Sequence, residues 1–301
     1  MSILDDLKLQ YTVGGITQRL IFWNVGLFVI PMVVFSILSL FNIGLPFLRW
    51  DVPVANDWLS LSSNPANLLW KPWSLIVYAF LHAGFLHLLF NMMVLYFAGG
   101  LFLTFFTQKQ LFGLYILSAV FAGLVFIASY NLLPMLTGNA YVSKMVGASA
   151  SIMAILIATA VYAPYYEVRL MLLGTVKLWH IAIVLVVLDL VQVSAENTGG
   201  HLAHLAGALF GFVYVKALHS GTDMTNGVTA IINFFTGLFT SRKKAPFTKV
   251  HRNTNQPVER TVKNTKDITQ KQIDEILDKI SKSGYDSLTK EEKEFLFKIG
   301  K

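Results

Sequence analysis

An all-α membrane protein, a six-transmembrane-helix bundle followed by a soluble helical C-terminal tail, is the fold class this sequence predicts, and three observations predict it. The chain of 301 residues is 54% hydrophobic, with a mean hydropathy of +0.57. Only 14% of its residues are charged, against roughly 25% in ordinary soluble domains. The charges are also segregated: thirteen fall between Leu20 and Thr240, and beyond Thr240 they become dense.

The elements follow in order. Residues 1–19 form an N-terminal segment whose Asp5 and Asp6, with a long apolar run behind them, do not suit a signal peptide. The first span is therefore expected to stay as a membrane anchor. Apolar runs predict helices over Leu20–Phe41, Gly84–Leu103, Leu111–Asn131, Ala148–Tyr162, Leu178–Val193 and His201–Leu218. The fourth is short and rich in small residues, which predicts that other helices surround it. Backbone exposed to lipid must satisfy its own hydrogen bonds, so a helical bundle over residues 20–218 is the economical fold.

The connection Asn42–Trp73 holds four of the six tryptophans, and indole prefers the membrane–water boundary. This loop is expected to lie in the outer interface. Residues 219–266 combine an interfacial segment, Ile231–Phe239, with a basic linker. From Arg242 to Lys266 the linker has eight Lys or Arg against one acid, Glu259, a composition suited to anionic headgroups. Residues 267–301 predict a helical tail. Ile273, Ile276, Leu277 and Ile280 recur at helical spacing, Gly284 breaks the run, and Thr289 to Glu292 is a capping-box pattern. No partner for this tail is legible.

Lys and Arg set the orientation. The inner segments hold Lys8, Arg19, Lys109, Arg169, Lys177 and Lys216 with the basic tail; the outer ones hold Arg49, Lys71 and Lys144. Both termini are thus expected in the cytoplasm, with the protein spanning a membrane several times. The net charge of +7 points to topology and membrane lipid and not to nucleic acid. With no cysteine, disulfide and thiolate chemistry are excluded.

Polar groups inside a membrane are costly and tend to be functional, and three clusters stand out. The first is His82-Ala-Gly-Phe-Leu-His87-Leu-Leu-Phe-Asn91. His87 and Asn91 are four residues apart and share a helix face; helical spacing places His82 on a different face. The second is Gly147-Ala-Ser149-Ala150. A serine at a helix N-terminus sits beside free backbone N–H groups, which suit a developing oxyanion. The third runs from Gly199 to Gly211 and contains His201 and His204. Ala203, Gly207 and Gly211 form a small-residue stripe matched by Ala150, Ala154 and Ala158, and such stripes let membrane helices approach closely. Close approach would bring Ser149 within reach of the His204 imidazole, as nucleophilic catalysis requires. Asp189, a turn from the outer end of the fifth helix, is expected to snorkel or make a local hydrogen bond.

Together these clusters resemble the rhomboid family over the six-helix region. The resemblance rests on a tryptophan-containing entry to the second helix, H-x-x-x-N at His87 and Asn91, G-x-S at Gly147 and Ser149, and H-L-A-G from His204 to Gly207. It implies an intramembrane serine endopeptidase of bacterial type, placed in the inner (plasma) membrane. Ser149 would be the nucleophile and His204 the general base, a dyad without an acid. His87, Asn91 and the Ser149 N–H would hold the oxyanion. Gly147, Gly207 and Gly211 would support the motifs, and His82 the first loop. His204, with Gly207 and Gly211 following it, matches the family's base better than His201, which would sit nearer solvent. The resemblance implies transmembrane protein substrates, no metal and no cofactor, and a mobile cap over Ser194–Gly200. The sequence departs from the family at Ser74, where arginine is common, at Leu103 in place of glutamate, at Ala150 in place of glycine, and at Met153 in place of an aromatic.

Three other functions compete. A non-catalytic rhomboid-like binding or quality-control factor would typically lose the serine or histidine. A metal hydrolase would want a carboxylate in an H-E-x-x-H pattern, which does not occur. A transporter would show repeated halves, and none is visible.

Overall fold

Where lipid offers no hydrogen-bond partner, an apolar segment must close its backbone bonds internally, and the long apolar runs fold accordingly. The computed structural model describes residues 2–41, 58–170, 174–194, 197–239 and 265–299. The chain divides into two units, Met1–Arg242 and Lys243–Lys301.

The first unit opens with α1 (Ile3–Val13), capped reciprocally by Ser2 and Asp5. This helix was not foreseen in the N-terminal segment, although the Ser2-x-x-Asp5 spacing is a legible start signal. Next come α2 (Ile16–Leu40), the two-residue strand β1 (Leu61–Ser62) and the short helices α3 (Pro65–Trp70) and α4 (Ser74–Val77). They lead to α5 (Phe85–Leu103), α6 (Gln108–Leu132), β2 (Lys144–Met145) and α7 (Ser149–Tyr162). A hairpin of β3 (Glu167–Leu170) and β4 (Gly174–Lys177) precedes α8 (Leu178–Gln192), α9 (Thr198–His219) and α10 (Thr225–Phe239). Every expected helix is present, with ends shifted by a few residues.

Among the described residues α2, α5, α6 and α9 are long and apolar enough to cross a membrane, while α7 and α8 are shorter apolar helices. The interfacial segment expected at Ile231–Phe239 is the second half of α10. The fold is not purely helical. β1 pairs with β2 through Leu61 and Met145, and β3 pairs with β4 through Val168 and Val176, both antiparallel. Strands of two to four residues are too short for an alternating pattern to register.

Helix α7 is the centre of the bundle: every residue from Ala150 to Ala160 is buried. The expectation that a short, small-residue helix would be enclosed holds, because α5, α6, α8 and α9 all pack on it. The tightest of these packings rests on glycine. A Cβ at Gly207 would run into the Ala150 carbonyl, and one at Gly211 into the Ala154 carbonyl. Residue numbers rise together on both helices, so α7 and α9 lie parallel, with their N-terminal ends side by side.

The entry to α5 is pinned by tyrosines. Tyr115 O–H on α6 donates to the Ala79 carbonyl at 2.6 Å, and Tyr78 O–H donates to the Ala119 carbonyl at 2.8 Å. Most buried hydroxyls are hydrogen-bonded, and these two bonds tie the 78–82 segment to α6. Just before it, the Trp73 and Trp58 rings stack, 2° from parallel and 6.3 Å apart. Trp73 Nε1–H also donates to the Trp58 carbonyl at 2.8 Å. Lys71 lies 5.3 Å over the Trp58 ring, and the buried Ser74 hydroxyl donates to the Lys71 carbonyl at 2.7 Å. The rest of the expected outer-interface loop, residues 42–57, lies outside the described residues.

In the second unit α11 (Thr265–Ser283) ends at Gly284, whose φ of 78° is in the left-handed region. The following α12 (Lys290–Ile299) starts with the expected capping box, in which Thr289 N–H donates to Glu292 Oε2 at 2.8 Å. Lys279 of α11 is paired with Glu292 at 3.0 Å, and Ile276 and Leu288 are buried. The basic linker falls almost wholly on residues 240–264, outside the described residues.

Candidate functional site

The residues singled out above converge at the N-terminal ends of α7 and α9. Gly147 has φ 135°, a backbone state that L side chains rarely adopt. A Cβ there would also stand 3.0 Å from His87 Cε1 and 3.1 Å from its Nε2. The first position of the G-x-S motif is therefore glycine for two reasons, conformation and the seating of an imidazole. Gly147 N–H donates to the Tyr78 carbonyl at 2.9 Å, which ties the turn to the pinned 78–82 segment. Ser149 is the first residue of α7, so its N–H has no acceptor within the helix.

The contacts of Gly207 and Gly211 bring α9 close enough to place His204 Nε2 2.7 Å from Ser149 Oγ. On the other side of the same ring, His204 Nδ1 is 2.9 Å from Asp189 Oδ1. His201 Nδ1 reaches that same oxygen at 2.7 Å. Asp189 is buried on α8.

His87 and Asn91 come from α5. Ala83 N–H donates to His87 Nδ1 at 3.3 Å, and Asn91 Nδ2 donates to the His87 carbonyl at 2.8 Å. With Gly147, Ser149, Met153, Asp189, His201 and His204, both residues line a cavity of about 780 Å³. Asp189, His201 and His204 each offer a ligand atom to a cation, all within 4.8 Å of one another. Their present separations are hydrogen-bond lengths, and the second nitrogen of His204 is engaged with Ser149.

Several expectations are corrected. His82 does not sit on a helix face distinct from that of His87: α5 begins only at Phe85. The chain before it bends, and the His82 and His87 rings meet edge to face at 5.1 Å. His82 is buried against His87. His201 is not the more solvent-exposed histidine. Its side chain is 15% exposed, against 26% for His204. Gly199 and Gly200 do not belong to a loop between α8 and α9. They form the first turn of α9, which Asn197 enters with φ 57°. A Cβ on Gly199 would stand 2.5 Å from Tyr130 Cε2 and 2.9 Å from Phe126 Cε2, so close packing on α6, not loop mobility, explains this glycine. Residues 195–196 of the expected cap lie outside the described residues.

The link from Asp189 to both histidines was missed in its extent. A carboxylate in an otherwise apolar helix was the available signal. What was not legible is that one oxygen would meet side chains twelve and fifteen residues further on.

The fold and the site thus define a helical membrane protein with a serine and an imidazole in contact at the head of two parallel helices. The chain matches the Rhomboid domain model over residues 69–221, just over half its length, and belongs to the rhomboid family. Members of this family are generally serine intramembrane proteases, and with its apolar helices the chain is an integral membrane protein. The matched region begins after α2, so the first expected span lies outside it. Residues 256–299 match a second model, described as a family of unknown function (DUF6576). No curated protein matches the sequence.

Proposed function

We propose that this protein is an intramembrane serine endopeptidase that cleaves transmembrane segments of membrane proteins. The observation that carries the reading is the 2.7 Å contact between Ser149 Oγ and His204 Nε2 at the wall of the cavity. That is the reach a general base needs to take a hydroxyl proton.

In this reading Ser149 Oγ attacks the scissile carbonyl carbon as its proton passes to His204 Nε2, forming a C–O bond and an oxyanion. The C–N bond then breaks, and the same proton leaves with the amine. Water, deprotonated by His204, hydrolyses the ester and restores the serine. The oxyanion is held by Ser149 N–H, His87 and Asn91. His87 suits this role because its Nδ1 accepts from Ala83 N–H, which leaves the proton of a neutral ring on Nε2, facing Gly147. Asn91 spends one amide proton on the His87 carbonyl and keeps the other for substrate. Asn91→Ala should slow cleavage roughly a hundredfold to a thousandfold, the range for a lost oxyanion donor, with little change in helix content; an unaltered rate removes Asn91 from the site.

The reading places six helices across the membrane, with α7 and α8 completing the set. Helix α7 spans inside a jacket of other helices and needs no lipid-facing length. Both termini lie in the cytoplasm, as the Lys and Arg distribution favours, and the membrane is the bacterial plasma membrane that the resemblance to the family implies. The domain limits remain those proposed: 20–218 for the membrane domain, 219–266 for the interfacial segment and linker, 267–301 for the tail.

A fluorophosphonate probe tests the mechanism, because it loses fluoride only to an activated serine. Wild-type protein in liposomes should be labelled, and Ser149→Ala should not. Folded wild-type protein that takes no label would overturn the reading in favour of a non-catalytic, binding role.

A further inference from the structure

The proton transfers of the proposed reaction need only a serine and a histidine, yet a carboxylate that takes no part in them touches the histidine. Asp189 Oδ1 accepts simultaneously at 2.9 Å from His204 and at 2.7 Å from His201. Resting on the reading above, we infer that Asp189 is a positioning residue for His204: it holds the proton of that imidazole on Nδ1 and so keeps Nε2 free to accept from Ser149.

Donors and acceptors decide the tautomer. A carboxylate has no proton to give, so both Nδ1 atoms that meet it must be donors. A neutral imidazole carries one N–H. With the proton on Nδ1, the lone pair is on Nε2, which stands 2.7 Å from Ser149 Oγ. The opposite tautomer would set a lone pair against the carboxylate, losing that bond, and would turn Nε2–H into a donor to Ser149 Oγ, unable to take the serine proton. Asp189 also fixes the plane of the ring, since the Nδ1 bond and the Nε2 bond lie at its two ends.

His201 completes the arrangement. By donating to the same oxygen it helps hold the carboxylate toward α9, where Asp189 also meets His204. The groups facing His204 are then Ser149 from α7, His87 from α5, Asp189 from α8 and His201 from its own helix; Asp189 is the acid among them. Its burial, near the end of an apolar helix, is costly unless the carboxylate is bonded, and these two bonds meet that cost. The arrangement has the logic of a nucleophile, a base and an orienting carboxylate, assembled here across two consecutive helices.

The test uses the intact protein in detergent and in liposomes. Its rate of fluorophosphonate labelling is compared with those of Asp189→Asn and Asp189→Glu, with Ser149→Ala as the blank. Asp189→Asn keeps the shape of the side chain but can donate to Nδ1, which favours the wrong tautomer. Its labelling should fall by about a hundredfold to ten-thousandfold, and Asp189→Glu, which restores a carboxylate, should recover part of the loss. Tautomers are read separately by nitrogen NMR of histidine-labelled wild-type protein, assigned with His204→Ala. Protonation of His204 on Nδ1 in wild type is expected. Protonation on Nε2 overturns the inference, and this measurement stands even if the Asp189 variants fail to fold. Wild-type labelling rates in Asp189→Asn overturn the inference alone. Wild-type protein that takes no label overturns the functional reading and the inference with it.

Discussion

Replacing His204 with alanine is expected to abolish peptide-bond cleavage and fluorophosphonate labelling, and adding Ser149→Ala to it is expected to cost nothing further. A nucleophile and its base act as a unit, so removing either forfeits almost the whole effect of both, on the order of a millionfold in a serine protease. The variant should remain folded. The close packing of α9 rests on Ala203, Gly207 and Gly211, which are buried against α7, whereas the His204 ring faces the cavity. The measurement is cleavage of a transmembrane substrate in liposomes by the two single variants and the double variant. Equal, near-complete losses in all three support the unit. A double variant far slower than either single, or a His204→Ala protein cleaving near the wild-type rate, would sink it.

Gly207→Leu should be nearly as damaging without touching either group. The Cβ alone would run into the Ala150 carbonyl, one residue from Ser149, and backbone has no rotamer with which to yield. The two helices must separate at the level of the site. Displacements of about 1 Å at a reacting centre lower rates by roughly a hundredfold, and overpacking a close contact costs about 1–3 kcal/mol of stability. A lower thermal midpoint and a loss of labelling are expected together. Gly100→Leu is the control, because Gly100, on α5, has open space where its Cβ would stand. Equal behaviour of the two variants would mean that the α7–α9 approach does not position the site.

Much of this protein was readable from residue types alone. Six apolar runs end within a few residues of the observed helices, because hydropathy and the need to close backbone bonds are local properties of a segment. The stripes Ala150, Ala154, Ala158 and Ala203, Gly207, Gly211 foretold a close helix pair, since small residues are what a short interaxial distance requires. The Thr289–Glu292 cap was legible for the same reason: its partners are three residues apart. The reading went wrong where geometry before a helix start decided the outcome. His82 was placed by helical spacing although α5 begins three residues after it, and Gly199 was read as loop although it packs under Tyr130 and Phe126.

The sequence by itself therefore determined the class of protein, the helices and the residues that could carry chemistry. Only the tertiary structure decided which of them touch. Of two histidines three residues apart, the glycines that follow His204 already favoured it as the base, but the contacts each imidazole makes came from the crossing of α7, α8 and α9. That crossing gives His204 contacts to both Ser149 and Asp189 and leaves His201 with Asp189. Hydrogen bonds form over about 3 Å, and no local pattern specifies, to that precision, the distance between side chains separated by 55 residues of chain.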